Sequence, residues 1–424
     1  QIFRNGCTNT TTLIAKDTAH KTQFPVFSPG GGFGIPEMSN AGDLVMVPLP
    51  ASFRVLPWAP KTGWMLCDVY FTNGEEIPFS TRQIFKNVLG DLADEGFDYL
   101  AGLEVECHIY KLEDPKLAPE DAGQPAEPPE VSLLAHGFHY LTEQRMDEYD
   151  PILEIVRGHL LKLGLPLRTF EVEFGPSQIE MTFKPALGLE AADNMMLFRS
   201  AVKQICKRNG YHATFMCRPG LKNAFSSGWH LHQSLIDKKT GANAFMPASD
   251  DQLLSEVGMQ YAAGILAHSA AACVFTTPTI NGYKRYAPNS LAPDRAVWGR
   301  DNKGAMLRVI GAGADDPATH LENRVGEPAA NPYLYMASQV LSGLDGMHAK
   351  MTPPAPSDDP YHADAAPLPA NLMEALAALA KNQMFRDRLG DTFVDYILAL
   401  KGAEVDRFFS AVTDWEHKEY FEMY

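Results

Sequence analysis

Four stretches of the chain alternate apolar and polar residues so that acids and imidazoles gather on one side. In Leu103-Glu104-Val105-Glu106-Cys107-His108-Ile109, the two-residue period of a strand puts Leu103, Val105, Cys107 and Ile109 on one face and Glu104, Glu106 and His108 on the other. Phe170-Glu171-Val172-Glu173-Phe174 turns at Gly175-Pro176 and returns through Ile179-Glu180-Met181-Thr182-Phe183. Trp229-His230-Leu231-His232-Gln233-Ser234 presents both histidines on one side, and Thr319-His320-Leu321-Glu322-Asn323-Arg324-Val325 presents His320, Glu322 and Arg324 together. A solvated antiparallel face commonly carries Glu at alternate positions, and an isolated H-x-H is more often a surface or core pair than a metal site. Fourfold repetition in a chain with 13 histidines moves the balance. Same-face carboxylates repel one another unless a cation neutralises them. Carboxylate-rich ligation with one or two imidazoles suits Mg2+ or Mn2+ rather than structural zinc, and such ions commonly hold substrate phosphates.

The basic residues fit the same chemistry. Lys284-Arg285 follow Asn281-Gly282-Tyr283, while Arg300, Lys303 and Arg308 fall close together ahead of Arg324. Arginine beside a carboxylate and metal cluster is suited to clamping a transferring phosphoryl group or a carboxylate substrate. Surface salt bridges remain an adequate account of Arg300 and Lys303. The chain has neither G-x-x-x-x-G-K-[ST] nor G-x-G-x-x-G, and Gly30-Gly31-Gly32-Phe33-Gly34 is too loose a signal for a phosphate loop. The residues alone lead to a two-metal phosphoryl-transfer site on an open antiparallel sheet.

The elements that must position these groups can be read in outline. Residues 1–78 form a small β-rich unit, with strands at Leu44–Pro48 and Trp64–Phe71 and a glycine-rich loop. A helix opens at Ser80-Thr81 with Ile84, Phe85, Val88 and Leu89 on one face; its start marks the boundary to a second domain, 79–424. The proline- and acid-rich 113–130 is a solvated loop. Helices are expected over 146–163 and 190–208, each closed by glycine, and over 370–381, 389–401 and 403–411 after the Pro-rich 352–369.

Composition bounds the rest. The 424 residues include 36 Lys+Arg and 52 Asp+Glu, a formal charge of −16, with 45% hydrophobic residues. No run of Lys and Arg exceeds a pair, which argues against a nucleic-acid partner. The six cysteines contain no C-x-x-C, so neither a disulfide framework nor a zinc knuckle is indicated, and a cytoplasmic location is expected. No stretch approaches a membrane span and no signal peptide is evident. The chain opens at Gln1 rather than Met, so the N-terminal unit is expected to lack some preceding sequence.

Taken in order, the motifs resemble the glutamine synthetase family. Gly102-Leu103-Glu104-Val105-Glu106 is similar to its G-x-E-x-E strand, Glu173-Phe174-Gly175-Pro176-Ser177-Gln178-Ile179-Glu180 to E-x-x-P-G-Q-x-E, and Ser227-Gly228-Trp229-His230-Leu231-His232-Gln233-Ser234 to S-G-x-H-x-H-x-S. Asn281-Gly282-Tyr283-Lys284-Arg285 resembles N-x-Y-K-R. Glu322-Asn323-Arg324 with Glu327-Pro328-Ala329-Ala330-Asn331-Pro332-Tyr333-Leu334 resembles E-x-R followed by D-P-A-A-N-P-Y-L. The resemblance implies an α+β fold: an N-terminal β-grasp domain and a C-terminal catalytic half-barrel of antiparallel sheet with flanking helices. It also implies a homo-oligomer, a double-ring dodecamer with active sites between subunits, using ATP and two or more Mg2+ or Mn2+ per subunit. Glu106, Glu173 and Glu180 would hold one metal, and Glu104, His230 and Glu322 the other. His232, Arg308 and Arg324 would meet ATP phosphates and Ser234 the nucleotide. Arg285 would take the glutamate carboxylate, so Arg285, Arg308, Arg324 and Glu173 are the candidate catalytic residues and Arg285, Leu291 and Glu106 line the substrate side.

Departures from the pattern bear on the substrate. The family places a glutamate on a flap after K-R, where it helps to bind and deprotonate ammonium; counting from Arg285, that position is Leu291. The loop that carries a second acid of the ammonium site corresponds to Phe27-Ser28-Pro29-Gly30-Gly31-Gly32-Phe33, which has none. Two missing anions remove the electrostatic reason for a small cation to bind, and leucine favours a larger, less polar amine. The chain is most similar to the branch making γ-glutamyl amides from organic amines, and loss of both acids favours an aromatic or weakly basic amine that is already neutral. The alternatives are an ammonia-using glutamine synthetase and γ-glutamylation of an alkylamine or polyamine. From other classes, a non-catalytic family member should have lost metal ligands, and a hydrolase leaves the arginines unexplained. Lys303 stands where the family has arginine, and Phe225-Ser226 replaces an Asn-Gly that helps to hold glutamate.

Overall fold

The structure is a computed structural model that describes residues 44–123, 125–286, 290–311, 313–314 and 316–424. The glycine-rich loop at 30–32 and most of the expected β-grasp unit lie outside the described residues. What is described of that unit begins with β1 (Leu44–Pro48), β2 (Arg54–Val55), β3 (Gly63–Trp64) and β4 (Cys67–Phe71), β1 pairing with β4 and β2 with β3, all antiparallel. The single strand expected over 64–71 is thus two, parted at Met65-Leu66, where the Leu66 N–H turns to the Ser52 hydroxyl at 2.8 Å. Leu56, Trp58, Val69 and Phe71 join the same apolar core as the remainder of the chain, and Asp68 is paired to Arg82 at 2.8 Å.

Helix α1 (Thr81–Asp94) leads into β5 (Phe97–Asp114), the long strand around which the main sheet is built. After β6 (Glu130–Ser132) come α2 (Glu143–Lys162), β7 (Leu167–Val172), β8 (Gln178–Phe183), β9 (Ala186–Leu187), α3 (Leu189–Arg208), β10 (Tyr211–Thr214) and β11 (Trp229–Asp237). Both α2 and α3 end as the glycines require, with Gly164 at φ 79° and Gly210 at φ 80°. Helix α4 (Glu256–Thr276) precedes β12 (Trp298–Arg300), β13 (Leu307–Ile310) and β14 (His320–Asn323), and α5 (Pro332–His348) follows. The sheet order is β12-β13-β14-β11-β5-β8-β7, with β6, β9 and β10 also pairing with β5. Its pairs are antiparallel except β12 with β13. Sheet and helices together make a mixed α and β architecture.

Helices α4 and α5 escaped the reading of periodicity because they are apolar nearly all round and so carry no stripe. Their starts are nonetheless encoded. The Ser255 hydroxyl accepts from Gly258 N, and the Asn331 side chain accepts from Tyr333 N and Leu334 N with Pro332 in the first turn. The two helices touch backbone to backbone, since a Cβ at Gly264 would lie 1.9 Å from the Ser342 carbonyl. Among the described residues α4 alone is long and apolar enough to cross a membrane, and 67% of its apolar window is buried inside the fold. At the C-terminus, α6 (Leu372–Lys381), α7 (Gln383–Leu389), α8 (Asp391–Ser410) and α9 (Asp414–Tyr420) replace the expected trio. Gly402 does not divide α8, because one interior glycine costs only about 1 kcal/mol against the packing of Val394, Ile397, Leu400 and Val405.

Candidate active site on the floor of the sheet

Strand register brings the polar faces together as consecutive cross-strand rows. Glu171, Glu180 and Glu106 lie in one row across β7, β8 and β5. Thr182, Glu104 and His230 form the next, across β8, β5 and β11. Gly102, His232, Glu322 and Arg308 form a third, across β5, β11, β14 and β13. Glu173 sits just beyond β7 with its Oε2 accepting from the Phe174 N–H at 2.9 Å. Glu171, which had no assigned role in the sequence, is therefore one more carboxylate of the same floor.

The carboxylates are held in unequal ways. Glu106 is 8% exposed; its Oε2 accepts from Gln178 Nε2 at 2.9 Å and Gly228 N at 3.0 Å. Burial, then the neighbouring Glu173 charge, still push its carboxyl up to about 8, and burial with Glu104, Glu106 and Glu173 pushes Glu180 up to about 10. Burial also disfavours the charge on Glu104, but the His230 and His232 rings overcome it and hold Glu104 well below the usual carboxylate range. Glu322, fully buried, is kept ionised against the same penalty by Arg324 and the two histidines. Its oxygens are shared between two guanidiniums, Arg324 Nη1 at 2.5 Å and Arg308 Nη1 at 3.0 Å.

His230 is committed on both nitrogens. Nδ1–H donates to Glu104 Oε1 at 2.5 Å, so Nε2 carries the lone pair and accepts from Arg285 Nη2 at 3.1 Å. Burial and Arg324 depress its pKa to about 4, leaving the neutral ring that a metal requires. Arg285, 8% exposed, spends its other nitrogen on the backbone carbonyls of 324–326, the shortest contact being 2.9 Å to Arg324 O. It reaches there because residue 228 is glycine: a Cβ at Gly228 would lie 2.5 Å from Arg285 Nη2. His232 Nε2 faces Glu104 Oε2 at 3.0 Å, and its Nδ1 meets His320 Nε2 at 2.9 Å. Ser234 continues this face of β11 and is buried.

Other expected residues lie apart or differ in detail. His108 shares the face of Glu104 and Glu106, but it is fully buried there, 3.3 Å from Ser227 Oγ and stacked on Tyr110; burial lowers its pKa to about 4. Leu291 has φ 58° and is 56% exposed, with its carbonyl 3.5 Å from Arg324 Nη2. Lys303 is exposed and contributes its carbonyl to Arg324 Nε at 2.9 Å.

The donor set fits a hard divalent cation. Glu104, Glu180 and His230 each offer an atom within 4.8 Å of one another, and so do Glu104, His232 and Glu322. Glu104 serves both groups, whereas the resemblance divides the ligands into Glu106, Glu173, Glu180 and Glu104, His230, Glu322. The elevated carboxyls of Glu106 and Glu180 are themselves the mark of a like-charged cluster short of positive charge.

A family model described as the catalytic domain of glutamine synthetase matches residues 78–420. The chain is 48% identical over 441 aligned positions to γ-glutamylanilide synthase of Acinetobacter sp, covering 99% of this chain and 88% of the relative. It is 31% identical over 395 positions to glutamine synthetase of Methanococcus voltae, covering 89% and 83%. A solved structure titled as a GmaS/ADP complex superposes with TM-score 0.79 at 27% identity, covering 94% of this chain and 91% of that one. The strand rows, the motifs in order and a family match over most of the length agree: the chain belongs to the glutamine synthetase family.

Proposed function

We propose that the protein joins the γ-carboxylate of glutamate to an organic amine, aromatic or weakly basic, at the expense of ATP. In the first step a γ-carboxylate oxygen attacks the γ-phosphorus of ATP, the bond to the ADP oxygen breaks, and γ-glutamyl phosphate and ADP result. The amine lone pair then attacks the acyl carbon, phosphate departs with the electron pair of the C–O bond, and the nitrogen loses a proton to give the amide.

Glu104, Glu106, Glu173, Glu180, His230 and Glu322 would hold the Mg2+ or Mn2+ ions. Bound there, the ions supply positive charge to the phosphoryl oxygens as charge redistributes. Arg308 and Arg324 stand at the same edge through their shared grip on Glu322, where they meet the phosphates together with His232, with Ser234 on the nucleotide side. Arg285 is rigidly mounted, and its position beside His230 suits the carboxylate of glutamate. A double ring with sites between subunits is the assembly expected, and the exposed Phe409, Val412, Trp415 and Phe421 near the C-terminus favour burial against another copy.

The choice of amine rests on Leu291. This residue, whose backbone carbonyl lies 3.5 Å from Arg324 Nη2, has an exposed apolar side chain at the position where, by the family resemblance, a carboxylate would attract and deprotonate ammonium. The 48% identity to a γ-glutamylanilide synthase, against 31% to a glutamine synthetase, supports the same choice. ADP release with Mg2+ or Mn2+, glutamate and a panel of amines tests it. Faster turnover with aniline than with ammonia or putrescine is expected, and the reverse order overturns the reading.

A further inference from the structure

Three phenylalanines cluster at the rim of the carboxylate floor, and nothing in the chemistry described so far uses them. Phe174 follows Glu173, and its N–H is bonded to the Glu173 carboxylate at 2.9 Å. Phe138 packs against it with ring centroids 5.2 Å apart and planes at 39°; Phe225 meets it edge-on at 5.3 Å and 75°. The rings retain 43%, 43% and 38% exposure for Phe138, Phe174 and Phe225. Apolar residues exposed singly need no explanation, but rings in mutual contact that remain open on one side form a surface suited to a further apolar group.

The patch belongs to the basin by construction. The Phe225-Ser226 segment rides over the β7–β8 turn, where the Ser226 carbonyl accepts from the same Gln178 Nε2 that holds Glu106. Gly175 makes that close seat available, since a Cβ there would lie 2.6 Å from Phe225 Cβ. On the other side, Leu141 N donates to the Val172 carbonyl at 3.2 Å and ties the segment bearing Phe138 and Tyr140 to the end of β7. Tyr140 in turn lies within the field of Glu173, Glu180, Glu171 and Glu104.

We propose that Phe138, Phe174 and Phe225 form the wall that receives the aryl ring of an aromatic amine, with the amine nitrogen directed toward the Glu173 end of the floor. This rests on the amide-ligase reading above and deepens it by naming what selects the amine. A neutral arylamine offers no charge to be recognised, so ring edges and faces in tilted and edge-on arrangements must supply the discrimination. Aliphatic amines and ammonia cannot make the ring-to-ring contacts that such a wall offers.

The test compares nucleophiles on the full-length protein. ADP release is followed with Mg2+, ATP and glutamate, using either aniline or hydroxylamine as acceptor, in the parent and in Phe138→Leu, Phe174→Leu and Phe225→Leu. Leucine keeps an apolar side chain while removing the ring, which limits loss of folding; a fourth variant, Phe225→Tyr, keeps the ring. The ratio of kcat/KM for aniline to that for hydroxylamine is expected to fall about tenfold or more in the leucine variants, through KM for aniline, and to be kept by Phe225→Tyr. An unchanged ratio overturns the proposal, as does a change in oligomer mass without a change in ratio, which would make the patch a contact with a second copy. Failure of the parent to use aniline while it uses hydroxylamine would instead overturn the choice of an aromatic amine, and the aryl wall with it, whereas no ADP release with either acceptor would overturn the amide-ligase reading itself.

Discussion

His232 Nδ1 lies 2.9 Å from His320 Nε2, and the Ala318 carbonyl behind His320 decides which ring donates. That carbonyl can only accept, so His320 Nδ1 carries the proton it gives at 2.5 Å, and His320 Nε2 presents its lone pair to His232 Nδ1–H. His232 Nε2 is thereby the nitrogen turned to the basin, where it meets Glu104 Oε2 at 3.0 Å. His320→Leu removes the acceptor and should raise KM for ATP about tenfold or more, whereas His320→Gln, which can accept from one ring and donate to the carbonyl, should stay within about threefold. Equal KM values for the two variants would show that His320 only fills space.

Gly228 sets the position of Arg285. A methyl group there would lie 2.5 Å from Arg285 Nη2 and 3.1 Å from His230 Nε2, so the guanidinium must leave its seat on the 324–326 carbonyls. Gly228→Ala should cost about hundredfold in kcat/KM for glutamate, the scale expected when a binding group is misplaced by about 1 Å. Its melting temperature should fall by only a few degrees. Activity within twofold of the parent would mean that Arg285 does not meet the substrate.

Metal binding and apo stability should separate at Glu180. Its carboxyl, pushed up to about 10 by burial and four neighbouring acids, is largely neutral at pH 7 without a cation, so Glu180→Gln resembles the protonated group. The metal-free melting temperature of the variant should be no lower than the parent's. A cation at about a hundred times its Kd stabilises the parent by about 2.7 kcal/mol, and most of that gain should disappear in the variant. Thermal scans with and without Mn2+ check it; an undiminished metal-induced rise would remove Glu180 from the ligand set.

The polar floor was legible because strand parity is local: Glu104, Glu106, Glu180, His230, His232 and Glu322 face one way wherever the strands are laid, and pairing only sets their rows. What parity could not convey is how each group is spent. The same alternation includes His108, yet that end of β5 runs beneath the 217–228 segment and the ring is buried against Ser227 and Tyr110. Arg285 looked free to bind substrate, but its commitments depend on a glycine some fifty-seven positions earlier. The contact among Phe138, Phe174 and Phe225 arises from three separate loops and has no spacing by which to be found. Helices α4 and α5 were hidden for a different reason, since a helix buried on all sides has no periodicity to display.

Glu327 gives the fold a pH dependence outside the candidate metal ligands. It is 1% exposed, with its oxygens accepting from Thr279 N at 2.8 Å and Thr279 Oγ1 at 2.9 Å. Burial outweighs these bonds and raises its carboxyl from 4.5 to about 7. Because the folded pKa lies above the unfolded one, the protonated form favours folding: the stabilisation is complete below about pH 4.5 and is lost as the pH rises through about 7. The difference amounts to at most about 3 kcal/mol at 1.36 kcal/mol per pKa unit. Glu327→Gln keeps the shape, can accept from Thr279 N and donate to the Thr279 hydroxyl, and does not ionise. Urea unfolding of the metal-free protein at pH 5 and pH 8 should therefore show the parent losing stability relative to the variant at the higher pH. Parallel stability curves for parent and variant across that range would place the Glu327 carboxyl back in the ordinary range.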